Sequence, residues 1–127
     1  MVFTRLRLTF IFAIGLSTNV VLGAAPANDL TVGENFTNPI GFYDADPVFS
    51  WKLPIGTKKQ AAYQIVVQDV TTGKEQWNSG KTVSDQSTWV PFDGAPFSSR
   101  QQVAWKVKFW DGDGVETDWS DEAQIEM

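Results

Sequence analysis

The chain has 127 residues, with ten basic and fifteen acidic side chains and a formal net charge of −5. It contains no histidine and no cysteine, which removes disulfide bonds and most of the side chains from which enzymes build nucleophile–base pairs and transition-metal sites. The acidic balance argues against nucleic acid as a partner, because phosphate binding needs a basic face.

The first 27 residues have the layout of a signal peptide. Arg5 and Arg7 precede an apolar stretch that is interrupted by three polar residues at 17–19 and ends at Leu22. A membrane anchor is the competing interpretation, but this broken run falls short of the roughly 20 apolar residues that a spanning helix needs. We therefore predict a secreted or periplasmic protein that has no membrane segment once the leader is removed.

Small residues at the end of the leader offer two cleavage points. Cleavage after Ala27 is preferred because Ala25 and Ala27 satisfy the small-x-small rule, and it leaves Asn28 as the first mature residue. Cleavage after Gly23 is the second choice. The prediction is thus a signal peptide over 1–27, followed by one domain over 28–127, about the size of an immunoglobulin-like sandwich.

Seven short runs, each bounded by turn signals, predict the strands of the mature segment. They cover residues 29–32, 48–53, 61–70, 75–79, 88–92, 102–110 and 119–127. Large apolar residues alternate with small or polar ones in the most regular runs, and the mature segment shows no sustained helical periodicity. The sequence therefore predicts an all-β fold, an immunoglobulin/fibronectin-III-like antiparallel β-sandwich of about seven strands.

The alternation also predicts which side chains form the core, because successive residues of a strand face opposite sides. Six residues are expected to meet in one dry layer between the two sheets: Trp51, Tyr63, Ile65, Val90, Trp105 and Val107. A core filled in this way leaves no internal pocket for bond cleavage.

A series of short motifs runs in a fixed order from Asn38 to Met127. The motifs are Asn38-Pro-Ile-Gly41, Pro47-Val-Phe-Ser-Trp51, Gln60-Ala-Ala-Tyr-Gln-Ile65, Trp77-Asn-Ser-Gly-Lys81, Ser84-Asp-Gln-Ser87, Trp105-Lys-Val107, Trp110-Asp111 and Asp118-Trp-Ser120. In order and spacing they resemble the N-terminal fibronectin-III/immunoglobulin-like domain of secreted α-L-rhamnosidases of glycoside hydrolase family 78.

This resemblance implies a fragment of a longer enzyme. Such rhamnosidases continue into further β domains and an (α/α)₆ catalytic barrel, whose acids have no counterpart in this chain. The expected function is that of a non-catalytic N-terminal module of an exported α-L-rhamnosidase-like glycoside hydrolase, which packs on and orients the downstream domains. The chain alone is expected to have no enzyme activity and no cofactor.

The acidic side chains support the same expectation. Glycoside hydrolysis needs two positioned carboxyl groups, one of them usually with a raised pKa, whereas the acids here fall mostly at turns, where Asp bonds the local backbone. Asp111-Gly-Asp-Gly114 resembles the start of a calcium loop, but Val115 and Glu116 stand where that loop needs an oxygen ligand and a glycine. A hairpin turn is preferred, and no catalytic residue or metal site is predicted.

Two tryptophans are the candidate contact residues. Trp89 directly precedes Val90, and Trp110 directly follows Phe109, both of which are expected to face inward. Because neighbouring residues of a strand face opposite sides, Trp89 and Trp110 are predicted to face outward. An outward Trp ring can stack on a sugar or bury against a neighbouring domain, so the partners considered are downstream domains of the same enzyme and rhamnose-containing glycans. A free-standing carbohydrate-binding module and a cell-surface adhesion domain are the alternative functions.

Overall fold

The computed structural model describes residues 24–127, so residues 1–23 of the predicted leader lie outside the described residues. Eight strands and no helix occur in this range, one strand more than the seven runs predicted. In chain order they are β1 (Asn28–Val32), β2 (Val48–Lys52), β3 (Gln60–Asp69), β4 (Glu75–Asn78), β5 (Thr82–Val83), β6 (Val90–Pro91), β7 (Gln102–Asp111) and β8 (Ala123–Glu126). Accordingly, no helix long and apolar enough to cross a membrane is found between residues 24 and 127.

The strands form two antiparallel sheets. The first has the order β1-β2-β6, and the second has the order β4-β3-β7-β8, with β5 also paired to β3. The pairing of β3 with β7 is the longest and runs from Gln60 opposite Asp111 to Asp69 opposite Val103. This architecture confirms the predicted all-β sandwich.

The core lies between the two sheets and contains all six residues predicted for it. Each of Trp51, Tyr63, Ile65, Val90, Trp105 and Val107 is at most 9% exposed. The two sheets meet through aromatic contacts, such as that of Phe49 on β2 with Trp105 on β7, whose ring centroids lie 4.5 Å apart. Burial of large apolar side chains, without any disulfide, therefore holds the sandwich together.

Two predicted strands are shorter in the structure than expected. Trp89 has a φ of 56°, which takes the chain out of the extended conformation, and the strand predicted from residue 88 begins only at Val90. The last strand begins at Ala123 rather than at Trp119, because side-chain hydroxyls replace part of the backbone pairing in the preceding segment. The short β5 was not predicted, since two residues carry no periodicity.

Candidate functional site

Trp89 is the most exposed tryptophan in the described part of the chain, with 62% of its surface accessible. Its backbone N–H donates to Ser50 Oγ at 2.9 Å, and its carbonyl accepts a hydrogen bond from Gln86 Nε2 at 3.1 Å. A left-handed φ costs a bulky residue about 1–3 kcal/mol and persists only where the surrounding structure enforces it. The two hydrogen bonds provide that constraint and hold the ring on the surface.

A polar groove of about 380 Å³ lies on the outer face of the first sheet, and its lining includes Thr88, the residue before Trp89, but not Trp89 itself. An ion pair between Lys52 Nζ and Asp29 Oδ2, at 3.0 Å, closes one side of it. The other residues that line the groove are Thr31, Asn35, Thr37, Ser50, Trp51 and Thr88. Hydroxyl and amide groups gathered in this way can form hydrogen bonds with a polar ligand.

The sequence reasoning found Trp89 but missed this groove. Its lining comes from β1, the loop after β1, β2 and the segment ahead of β6. Residues so far apart in the chain share no local motif, and the sequence alone carries no signal that would have joined them.

Trp110 lies on the outer face of the second sheet, as predicted, but only 9% of its surface is accessible. Lys81 Nζ lies 4.7 Å and Lys108 Nζ 5.6 Å from the centre of its ring system. Cations over an indole face are attracted by its π electrons. Lysine side chains therefore occupy the surface that a sugar or a neighbouring domain would need.

Trp119 extends the same arrangement. Lys106 Nζ and Lys108 Nζ lie 4.8 Å and 4.7 Å from its ring centre, and Lys108 also forms an ion pair with Glu116 at 2.6 Å. The outer face of this sheet is thus an alternating series of lysines and tryptophans. Lys106, Lys108 and Trp110 occupy every second position of β7 and therefore share one face of the sheet. This spacing is the sequence signal that could have indicated the series.

The acidic residues are used locally in the structure. Asp111 Oδ1 accepts hydrogen bonds from the backbone N–H groups of Asp113 and Val115, at 2.9 and 3.0 Å, as in a turn. Residues 24–127 bring together no group of three or more acidic side chains that could hold a metal ion. Hydrogen bonds from the Thr72 backbone and from the Gln101 side chain hold the pKa of Asp69 below its ordinary value of 3.8.

The lowered pKa of Asp69 argues against a role as a general acid. A general acid of a glycosidase needs a carboxyl group whose pKa is raised, so that it carries a proton near neutral pH. Asp69 is shifted the opposite way and remains ionised.

Comparisons with known proteins agree with the sequence motifs. A family model described as "Rha78A-like, N-terminal immunoglobulin domain" matches residues 27–127. An α-L-rhamnosidase from Alteromonas sp. (strain LOR) is 42% identical over 127 aligned positions, which cover 94% of this chain and 14% of that relative. An α-L-rhamnosidase from Formosa agariphila is 44% identical over 107 aligned residues, which cover 80% of this chain and 12% of that relative.

The fold leads to the same group. The crystal structure of Streptomyces avermitilis α-L-rhamnosidase complexed with L-rhamnose matches with a TM-score of 0.73 and 33% identity, over 80% of this chain and 10% of that one. The chain therefore spans about a seventh or less of the rhamnosidases it matches. The resemblance inferred from the motifs is confirmed: this chain belongs to the family of Rha78A-like N-terminal immunoglobulin domains.

Proposed function

We propose that this chain is the non-catalytic N-terminal module of an exported α-L-rhamnosidase-like glycoside hydrolase and that it packs on and orients the domains that follow it. The observation that carries the proposal is the family match over residues 27–127, in relatives of which the chain covers only 12–14%. A domain of this size and position contributes to such an enzyme mainly by its contacts with other domains.

The interior of the sandwich supports the non-catalytic part of the proposal. The space between the sheets is filled by aromatic and aliphatic side chains, with Phe49, Ile65 and Phe109 fully buried. Ten of the fifteen acids lie outside the strands, and the shifted pKa of Asp69 is lowered rather than raised.

The catalytic question is tested with the chain alone. Residues 24–127, incubated with an aryl α-L-rhamnoside, are expected to release no aryl alcohol above the buffer rate, while the Alteromonas rhamnosidase serves as the positive control. Turnover by the isolated chain would overturn the non-catalytic assignment.

The proposal that the chain is one module of a longer enzyme is tested by sequencing the gene. The DNA that follows the codon for Met127 is expected to continue in frame into a catalytic region. A stop codon at that position would count decisively against a module of a larger enzyme.

Contact with a sugar at Trp89 is a second candidate function, favoured by the exposure of this ring and by the polar groove that the preceding residue, Thr88, helps to line. Titration of ¹⁵N-labelled residues 24–127 with rhamnose-containing oligosaccharides should shift the indole resonance of Trp89. The indole of Trp105, which is buried and does not line the groove, is the internal control. A Trp89 signal that stays fixed at millimolar sugar would eliminate this function.

A further inference from the structure

Three apolar side chains are exposed within one short segment between β1 and β2. Phe36, Ile40 and Tyr43 are 43%, 81% and 69% accessible. The rings of Phe36 and Tyr43 touch, with centroids 6.4 Å apart, and both pack on Phe42, which is buried in the core. We call Phe36, Ile40 and Tyr43 the exit patch, because the segment that carries them is bonded to the C-terminal end of β8.

The exit patch is tied by backbone hydrogen bonds to the end of β8. Ile40 forms a parallel bridge with Glu126, the N–H of Phe42 donates to the Glu126 carbonyl at 2.9 Å, and the N–H of Glu126 donates to the Pro39 carbonyl at 3.0 Å. Met127 is still part of the fold, because its N–H bonds to the Gln101 carbonyl and its side chain packs on the core. Any residue that follows Met127 therefore emerges beside residues 39–42, the part of this segment that carries Ile40.

Ile55, the most exposed apolar residue outside the patch, lies too far away for this role. Ile55 is fully exposed, but its loop lies beside Asp111–Asp113 at the far end of β7. The near end of β7, Gln102, is paired with Glu126. Ten residues of strand separate the two ends by about 30 Å.

The charge around the exit patch indicates what its partner must present. Residues 33–46 contain Glu34, Asp44 and Asp46 and no lysine or arginine. The adjoining segment 97–101, which bonds to Ala45 and Met127, adds the single base Arg100, so acids outnumber bases by three to one. Domain contacts combine an apolar centre with a polar rim of complementary charge. The matching surface should therefore have apolar side chains at its centre and basic ones at its edge.

We propose that Phe36, Ile40 and Tyr43 form the docking surface for the domain that directly follows Met127 in the longer polypeptide, and that this domain presents an apolar surface with a basic rim. The inference rests on the proposed function, because it requires a downstream domain. It assigns the interdomain contact to the exit patch rather than to Trp89 or Trp110.

The test compares the 127-residue chain with the polypeptide expressed from the complete gene, by hydroxyl-radical footprinting and mass spectrometry. Oxidation of Phe36 and Tyr43 should slow by about fivefold or more in the longer polypeptide, as for side chains that enter an interface core. Ile55 and Trp89 should be oxidised at the same rate in both. Unchanged oxidation of the patch, or protection of Trp89 in its place, would overturn the docking surface.

A pair of double variants provides an independent measurement. Ile40→Ser with Tyr43→Ser should make the longer polypeptide about tenfold more susceptible to proteolysis just after Met127, since a domain that is not docked exposes its linker. Ile55→Ser with Val83→Ser changes two residues outside the patch that are even more exposed than Ile40 and Tyr43, and it should have no effect. Equal susceptibility of the two variants would contradict the proposal.

Two further readouts separate the causes of a failure. In the 127-residue chain both double variants should stay folded, and the patch variant should unfold at a slightly lower urea concentration because the Tyr43 ring packs on Phe42. A patch variant that is unfolded in this shorter chain would show that the patch serves the module's own stability and would overturn its docking role. A gene that ends at Met127 would instead overturn the proposed function itself.

Discussion

At the residue scale, the side chain of Gln60 joins three separate segments inside the molecule. Its Oε1 accepts a hydrogen bond from the indole N–H of Trp51 at 3.0 Å, and its Nε2 donates to the carbonyls of Ser84 and Gln86 at 3.1 and 2.8 Å. Gln60 is only 2% exposed. A buried amide that is fully satisfied fixes its neighbours, and its loss leaves their polar groups without partners.

We expect Gln60→Met to lower the free energy of unfolding by about 1–3 kcal/mol, because the Trp51 indole N–H loses its acceptor in a buried position. Urea titration monitored by tryptophan fluorescence measures the change. Gln64→Met is the matched control on the same strand, since the Gln64 amide bonds to Asn78 at the surface and its removal should cost no more than about 0.5 kcal/mol. Equal effects of the two variants would refute the structural role of Gln60.

The lowered pKa of Asp69 predicts how the stability of the fold depends on pH. Its carboxylate accepts hydrogen bonds from the Thr72 N–H at 2.8 Å and from Gln101 Nε2 at 2.7 Å, and its pKa is lowered in the folded state. The ionised group therefore stabilises the fold above its ordinary pKa of 3.8, and this contribution is lost as the pH falls through the lowered value.

Asp69→Asn should consequently destabilise the protein at pH 7, and the difference from the unmodified protein should shrink as the pH falls below about 4. Urea midpoints measured from pH 7 to pH 2 provide the test. Asp93→Asn removes one charge at an exposed turn and controls for net charge. A difference that stays constant over this range would show that the ionisation of Asp69 is not linked to folding.

At the scale of elements, the segment between β7 and β8 shows why strand limits are difficult to predict. Thr117 Oγ1 accepts a hydrogen bond from the Phe109 N–H at 3.1 Å, and Ser120 Oγ accepts one from the Val107 N–H at 3.0 Å. The N–H groups of Thr117 and Ser120 donate back to the carbonyls of the same two residues at 2.9 Å. Hydroxyls thus accept hydrogen bonds from two N–H groups at the edge of β7, at Thr117 between two predicted strands and at Ser120 within the last predicted one.

Thr117→Val should lower the free energy of unfolding by about 1–3 kcal/mol, because it leaves the buried Phe109 amide without an acceptor while preserving side-chain shape. Thr117→Ser retains the hydroxyl and should recover most of the loss. Hydrogen exchange at the Phe109 amide is the second readout, and it should accelerate in the valine variant alone. Identical stability of the two variants would show that the hydroxyl contributes nothing.

At the scale of the whole molecule, the N-terminal limit of the domain affects the core. Ala27 is 3% exposed and belongs to the core cluster, so cleavage after this residue would remove a buried methyl group. Burial therefore favours the second cleavage point, after Gly23, which retains it. We propose that leader cleavage during the expected export leaves Ala24 as the first residue. N-terminal sequencing of the processed chain checks this, and a start at Asn28 would contradict it.

The same argument gives a stability difference between two forms of the domain. Residues 28–127 should unfold about 1 kcal/mol more easily than residues 24–127, from the loss of one buried methyl group and the contacts around it. Ala24→Gly, in a form starting at residue 24, is the control for a change outside the core. Equal unfolding midpoints for the two lengths would show that Ala27 is dispensable.

The alternation of residues along the strands was sufficient to determine the sandwich and its core, because a period of two is a property of the extended backbone and needs no long-range information. Trp51 and Trp105 could be placed inside on that basis alone. The tertiary structure decided which outward tryptophan is accessible. Trp110 is covered by Lys81, which comes from a distant segment, whereas Trp89 is held exposed by a left-handed turn bonded to Ser50. Such contacts between distant residues depend on how the sheets pack, which no local pattern specifies.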